Sequence, residues 1–409
     1  MYKPLKKLFF NRDIKIEEVY QNRLTSDSTI KTDLEIVPFS IAKGVRETNT
    51  RYPLFCVLLP EHLLMSDNIY QNSKYIISLI NNCPDVVKKH IIDSQIISEI
   101  YSTNTIEGVK STRKEIHEVI KSVSPTENKR FAGIVRKYIS ISQGDYERIT
   151  SPEQIRELFD ELVSAEVADE DQPDGLLFRK ESVNIYDMNS NAVIHRGDPN
   201  EKIIFSNITK LITFMNNETI PVFVKVALTH YFFEYIHPFY DGNGRVGRFL
   251  LTSYLARKLD YFSAFSIVEV ILKNKANYEE AFMMVSDPKN MGDATLFVSQ
   301  ILSFIKQGQE EMIDKLVIAK SKIEAAMAYI SNQELTEDEQ NILFIIIQNH
   351  LFESEKMALT DAELAEYVDC SRNKLNKALK ELVAKNYVIQ VKQRPSVHEL
   401  APDVAEYFA

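Results

Sequence analysis

His237-Pro-Phe-Tyr-Asp-Gly-Asn-Gly-Arg-Val-Gly-Arg248 is the stretch on which the rest of the sequence turns. Three of the chain's eleven glycines fall here, Gly242, Gly244 and Gly247. Eleven in 409 residues is well under half the usual share of about 7%. A glycine cluster in so glycine-poor a chain marks backbone that needs left-handed dihedrals or close ligand approach. The flanks read as helices. Pro221 suits a first helical position, and Val222, Val226, Thr229, Phe233 and Ile236 recur along one helix. Phe249 to Lys258 begins a second. A helix, a tight loop and a fresh helix N-terminus follow in turn. That terminus offers bare N–H groups and the positive end of a dipole, which together attract an anion. Arg245 and Arg248, three apart, share a face and could clamp phosphate oxygens. Asp241 supplies hard oxygens suited to a Mg²⁺ that bridges phosphates. His237 has the chemistry of a general base near neutral pH.

Each of these residues alone has a plainer reading. A single His near a helix end usually caps it, and a single Asp before a helix is most often an N-cap. Gly242-x-Gly244-x-x-Gly247 also fits a dinucleotide fingerprint, but that needs a preceding strand and a run of βαβ units, and neither is legible here. Taken together, the twelve residues resemble the Fic motif H-P-F-x-D/E-G-N-G-R-x-x-R at all nine specified positions. The resemblance spans roughly residues 85–306. It implies transfer of AMP from ATP to Ser, Thr or Tyr hydroxyls of proteins, the chain itself included. On that likeness His237 takes the hydroxyl proton and Asp241 holds Mg²⁺. Gly242, Asn243 and Gly244 cradle the α- and β-phosphates. Arg245 binds the β-phosphate and Arg248 the γ-phosphate, while Phe239 anchors the loop.

Helical spacing runs from Asp85 to about Val123, and within it Thr103-Asn-Thr-Ile-Glu107-Gly108 resembles the family's inhibitory pattern [S/T]-x-x-x-E-[G/N]. It implies a Glu107–Arg248 ion pair that denies the arginine to ATP. In some relatives the same Glu orients a water for removal of AMP, so de-AMPylation stands as an alternative. Ser182–Asp187 and Ala192–Arg196 read as two short strands around Asn189-Ser190-Asn191, where the family carries a flap. Val193, Ile194 and His195 are its candidate target-docking edge, by strand addition; for His195 a surface position without a role is the plainer expectation. Asn274–Tyr278 is similar to the family stretch before a helix lining the adenine pocket, although Glu279 stands where a second aromatic is usual. Tyr278 is therefore either adenine wall or ordinary core.

The rest of the chain sets the frame. It holds 48 basic and 58 acidic residues, a formal charge of −10, which argues against a surface coated in nucleic acid. Cys56, Cys83 and Cys370 are too few and too scattered for a zinc ribbon or disulfide framework. No apolar run reaches membrane-spanning length, and the basic Met1–Phe10 start gives way at once to Asn11-Arg12-Asp13, so a cytoplasmic location without membrane partners is expected.

The expected fold class is mainly α. A Fic-type helical bundle with a β-hairpin flap is followed by a C-terminal winged helix-turn-helix. Four parts are expected: a mixed region 1–84 with strands near Leu34–Ile41 and Tyr52–Leu59, a catalytic part 85–306, a linking helix 307–334 and a small domain 335–409. In the last, Thr336/Glu339 and Thr360/Glu363 are capping boxes, and Ser371 caps a helix to about Asn386. Arg372, Lys374, Lys377, Lys380, Lys385, Lys392 and Arg394 face only Glu381 between residues 370 and 395. That basic run could meet DNA phosphates, which gives a second alternative, a DNA-binding regulator whose loop senses nucleotide. The sequence leaves open whether inhibition acts within one chain or across a homodimer.

Overall fold

The computed structural model describes residues 2–122, 130–186, 191–352, 358–368 and 370–408. The chain is mainly helical, as expected, and divides into two compact units. None of the described helices is long and apolar enough to cross a membrane.

The first unit comprises Met1–Lys74 and Gln95–Glu311. At its N-terminus, strand Thr29–Ile36 pairs antiparallel with Tyr52–Val57. Thr32, Leu34 and Ile36 point inward while Lys31, Asp33 and Glu35 face water, the alternation that a half-buried strand demands. The first strand thus starts five residues earlier than the Leu34–Ile41 reading. Val37-Pro38 closes it, and Phe39–Ser40 pairs separately with Val45–Arg46.

Helices Val222–Ile236 and Asn243–Lys258 form the centre of this unit. Sequence reading gave the first one apolar face, yet it is buried almost all round, including His230 and Lys225. A helix sheathed in this way has packing partners on every side. Pro152–Leu162 covers the loop between the two helices. Pro152 takes its first position, and the Gln154 side chain accepts from the Ser151 N–H at 3.1 Å. One long helix over residues 85–123 is not formed. Asp85–Ile106 stops, Gly108 takes φ 73°, and Arg113–Ser122 starts afresh. Glu107 lies just beyond a helix end instead of inside a helix.

The second unit comprises Tyr75–Ser94 and Met312–Ala409. Its core gathers Ile342, Ile346, Leu364, Leu375, Leu379, Leu382, Val388 and Leu400. Both expected capping boxes form: the Thr336 N–H donates to Glu339 Oε2 at 3.0 Å, and the Thr360 N–H to Glu363 Oε2 at 2.7 Å. Strand Ser396–Leu400 is central, with Val388–Gln393 on one side and Leu359–Thr360 on the other. The two-residue strand was not legible in the sequence, because its only signature is that it abuts a helix cap.

Phe239 is fully buried and stacks on Phe159, centroids 4.2 Å apart. Phe239→Ala should cost about 3–5 kcal/mol in urea unfolding. Leu63→Ala, at a residue 66% exposed, should change stability by less than about 0.5 kcal/mol.

Candidate active site

The central helix ends on His237, whose backbone is left-handed, φ 53° and ψ 66°. A non-glycine residue there costs about 1–3 kcal/mol and persists only if its surroundings fix it. Arg179 does much of the fixing. Its Nε donates to the His237 carbonyl at 2.8 Å, its Nη2 to the Ile236 carbonyl at 3.2 Å and its Nη1 to the Glu181 carbonyl. Its own N–H reaches the Pro238 carbonyl at 3.2 Å. This guanidinium is fully buried, and burial pulls its pKa down to about 10. The Asn243 side chain braces the far side. It accepts from the Phe239 N–H at 2.9 Å and donates to the Phe239 carbonyl at 2.8 Å. The Asn243 amide is thus committed to the loop, and its backbone N–H is what it presents at the helix end. Gly242 has φ 81°, and a Cβ there would stand 2.8 Å from Val163 Cγ2, so both the turn and the packing demand glycine.

The first ladder bond of helix Asn243–Lys258 runs from the Val246 N–H to the Gly242 carbonyl. The N–H groups of Asn243, Gly244 and Arg245 therefore precede the ladder. A carboxylate lies at this positive end. Glu107 packs so closely on Gly244 that a Cβ there would overlap its Oε1. Arg248 Nη2 donates to Glu107 Oε1 at 2.6 Å, and Arg248 Nε to Thr103 Oγ1 at 2.8 Å. Burial would raise the Glu107 pKa, but the charge and hydrogen bond of Arg248 outweigh it and hold the carboxyl below its usual range. Arg245 turns to a different acid: its Nη1 donates to Glu166 Oε2 at 2.8 Å, and its Nη2 lies 3.6 Å from Asp241 Oδ2.

Burial and then the Arg179 charge pull the His237 pKa down to about 4, against an opposing pull from Glu107. The imidazole is neutral at pH 7, as a base must be. Its Nδ1 lies 3.3 Å from the Glu234 carbonyl oxygen and 3.8 Å from Glu234 Oε2. A cavity of about 400 Å³ is lined by His237, Gly244, Arg248 and Glu107, together with Tyr278, Ile194 and His195.

The remaining expected residues are placed as follows. Asp241 is half exposed, and its Oδ1 accepts from the Gly242 N–H at 2.6 Å. The described residues contain no cluster of three or more metal-ligating side chains. Mg²⁺ needs only one or two carboxylates when phosphates and water complete its shell, so a lone hard-oxygen donor at the loop tip fits that ion. Tyr278 is both core and cavity wall. It is buried, its hydroxyl lies 2.6 Å from His230 Nε2, and it sits inside helix Lys275–Ser286, so the stretch expected to precede a helix is already helical from Lys275. The flap strands are Asn184–Tyr186 and Val193–Arg196, with Tyr186 opposite Val193 and Ile185 opposite His195. Asn189 and Ser190 of the expected turn lie outside the described residues. His195 is half-buried, not a plain surface histidine. Its Nε2 lies 2.8 Å from the Tyr235 carbonyl, its ring meets Phe39, and burial drives its pKa well down.

Three groups in the site escaped the sequence reading. Arg179 and Glu166 lie 58 and 79 residues from their partners, with no spacing rule to connect them. Glu234 had one usable signal, the single acid of a mostly apolar helix, three residues before the histidine.

His230 and His237 are both held neutral, at about 3 and about 4, mainly by burial. Between those values and about 6.5 the unfolded chain binds protons that the folded chain does not, so stability should rise with pH across that window. NMR titration of the imidazole carbons should give His237 a midpoint near 4. A midpoint near 6.5 would contradict the buried, neutral base.

Comparison with known proteins agrees with this geometry. Residues 149–255 match the Fic/DOC family. An 84-residue stretch is 36% identical to a protein of Aquifex aeolicus described as "Probable protein adenylyltransferase", covering 20% of this chain and 24% of that one. The match therefore spans about a quarter of the curated relative's length. A solved Fic family protein from Desulfovibrio desulfuricans has the same fold, with a TM-score of 0.52 at 18% identity over 84% of this chain and 97% of that one. The motif His237–Arg248 lies inside the matched segment, so the chain carries a domain of the Fic/DOC family at residues 149–255.

Proposed function

We propose that the protein is an autoinhibited adenylyltransferase that moves AMP from ATP to Ser, Thr or Tyr hydroxyls of proteins, itself included. One observation carries the reading: a neutral imidazole, a helix N-terminus and a buried arginine line the same cavity. The description of the Aquifex aeolicus relative supports the same chemistry. Here His237 Nε2 takes the proton of the incoming hydroxyl, whose oxygen attacks the α-phosphorus. The bond from the α-phosphorus to the α,β-bridging oxygen breaks, and pyrophosphate leaves with the electron pair. The backbone N–H groups of Asn243 and Gly244 face the α- and β-phosphates. Arg245 and Arg248 neutralise charge on the β- and γ-phosphates. Asp241 would hold Mg²⁺, which supplies further charge neutralisation on the phosphates. Tyr278 would form part of the wall against the base, and the flap edge at Val193, Ile194 and His195 would hold the target segment as an added strand.

Inhibition is competition for one cation. Glu107 already engages Arg248 and sits against Gly244 at the anion end of the helix, so a triphosphate must displace a carboxylate to bind. This placement favours inhibition over the water-orienting role that de-AMPylation requires, because the carboxylate is committed to Arg248. The second unit, with its helices and three-stranded sheet, we read as a winged helix whose basic run at 370–395 is open to an anionic partner such as DNA. Among the described residues, Lys385 meets Glu339 at 2.8 Å and Lys374 lies 3.9 Å from Asp338, which withdraws these two cations from any phosphate-binding face.

Incubation with Mg²⁺ and ATP labelled at the α-phosphate tests the reading. Glu107→Gly should raise labelling by about tenfold or more, a coupling of 1–3 kcal/mol. Adding His237→Ala should lower it by about 10²–10⁴. Equal labelling of the Glu107→Gly and native proteins would remove the inhibitory claim.

A further inference from the structure

Glu234 belongs to the last turn of the central helix, three residues before the histidine that the proposed reaction needs as a base. Its side chain is 14% exposed, and its Oε1 is buried without a hydrogen-bond partner. Burying a carboxyl unpaired is costly, and such groups concentrate where chemistry needs them. Its location is specific. Oε1 packs against Gly247 so tightly that any side chain at 247 would overlap it, and Oε2 lies 3.8 Å from His237 Nδ1. An imidazole can take a proton at Nε2 only if Nδ1 carries the other hydrogen. Among the described residues, the hydrogen-bond acceptor held to Nδ1 is the Glu234 carbonyl oxygen, and at 3.3 Å that contact is long.

We propose that Glu234 is the positioning residue of the base: its carboxyl, 3.8 Å from Nδ1 in the resting site, closes on His237 Nδ1–H in the reacting complex, fixes the tautomer that leaves Nε2 bare, and stabilises the imidazolium formed when Nε2 takes the hydroxyl proton. The proposal rests on the adenylyltransfer reading above and adds the group that orients its base. A base oriented by a second side chain is a recurring arrangement in nucleophilic catalysis. A carboxyl oxygen accepts in either protonation state, so the orienting role does not depend on ionisation. Several charged or titratable groups act on the pair. Arg248, from the neighbouring helix, favours the ionised carboxyl, and Glu107, beyond the end of its helix, opposes it. Tyr278, on the helix across the cavity, is coupled to the same carboxyl. Arg179, beneath the loop, acts on the imidazole. Burial is the largest influence and moves Glu234 up to about 8.

The test compares Glu234→Gln and Glu234→Ala, each in the Glu107→Gly protein, by steady-state labelling and by the ¹⁵N shifts of the His237 ring, assigned from a His237→Asn spectrum. With Glu234→Gln the amide oxygen still accepts, and near pH 7 the carboxyl it replaces is itself mostly uncharged, so kcat should stay within about threefold of the parent with the KM for ATP unchanged. With Glu234→Ala kcat should fall about 100-fold, again without a change in KM, within the 10²–10⁴ span of a general base. The ring should carry its hydrogen at Nδ1 in the parent and the Gln variant, and become a mixture of tautomers in the Ala variant. A Glu234→Ala kcat within twofold of the parent, a change confined to KM, or an unaltered tautomer would overturn the proposal. Absence of any labelling in the Glu107→Gly parent would count against adenylyl transfer itself. The tautomer shift would then still decide the role of Glu234.

Discussion

The site depends on one chain reversal, the left-handed turn at His237 held from beneath by a buried guanidinium. Arg179 gives hydrogen bonds to consecutive carbonyls at 236 and 237, at a helix end that leaves its last carbonyls without ladder partners, and the Asp198 N–H gives the Ile236 carbonyl a second bond at 2.9 Å. This turn aims the imidazole into the cavity and brings the next helix in with its N-terminus facing the same space. Phe239 and the Asn243 amide then lock the loop against Phe159. The base and the anion-binding end are therefore parts of one rigid connector.

Around that connector the molecule buries charges that would be costly alone. Arg245 and Arg248 are each 2% exposed. Each has a carboxylate, Glu166 for one and Glu107 for the other. Breaking a fully buried pair costs roughly 3–5 kcal/mol, and less here, since the Glu107 side chain remains 29% exposed. Removing Glu107 leaves a buried cation beside bare helix N–H groups, an arrangement that invites an anion. The ion pair therefore stabilises the resting fold and, in our reading, also blocks the site. Thr103 and Glu107, four residues apart and so on one side, both contact Arg248. Behind them Glu99 is fully buried. Burial pushes it up to about 8, and it accepts from the Thr252 hydroxyl at 2.6 Å, which fastens this end of its helix to the helix bearing both arginines.

Much of this was legible in the sequence because its chemistry is local. The twelve-residue connector, the Thr103–Glu107 spacing and the capping boxes at Thr336 and Thr360 depend on residues a few positions apart. Arg179, Glu166 and Glu99 were not legible, since tertiary packing alone decides where their side chains meet partners. His195 was misjudged for a related reason: a residue on a short hairpin reads as exposed until Phe39 and Tyr235 are seen packed on it. The helix boundary at Ile106 was missed because the apolar spacing runs on past it, and only the positive φ of Gly108 ends the segment.

The competition between carboxylate and phosphate is the centre of the account, and calorimetry tests it without relying on turnover. ATP and ADP would each be titrated, with Mg²⁺, into the native and Glu107→Gly proteins. If Arg248 is reserved for the γ-phosphate, removing Glu107 should strengthen ATP binding by about tenfold more than ADP binding, about 1.4 kcal/mol. An equal gain for the two nucleotides, or none for either, would contradict the claim that Glu107 stands in the place of the terminal phosphate.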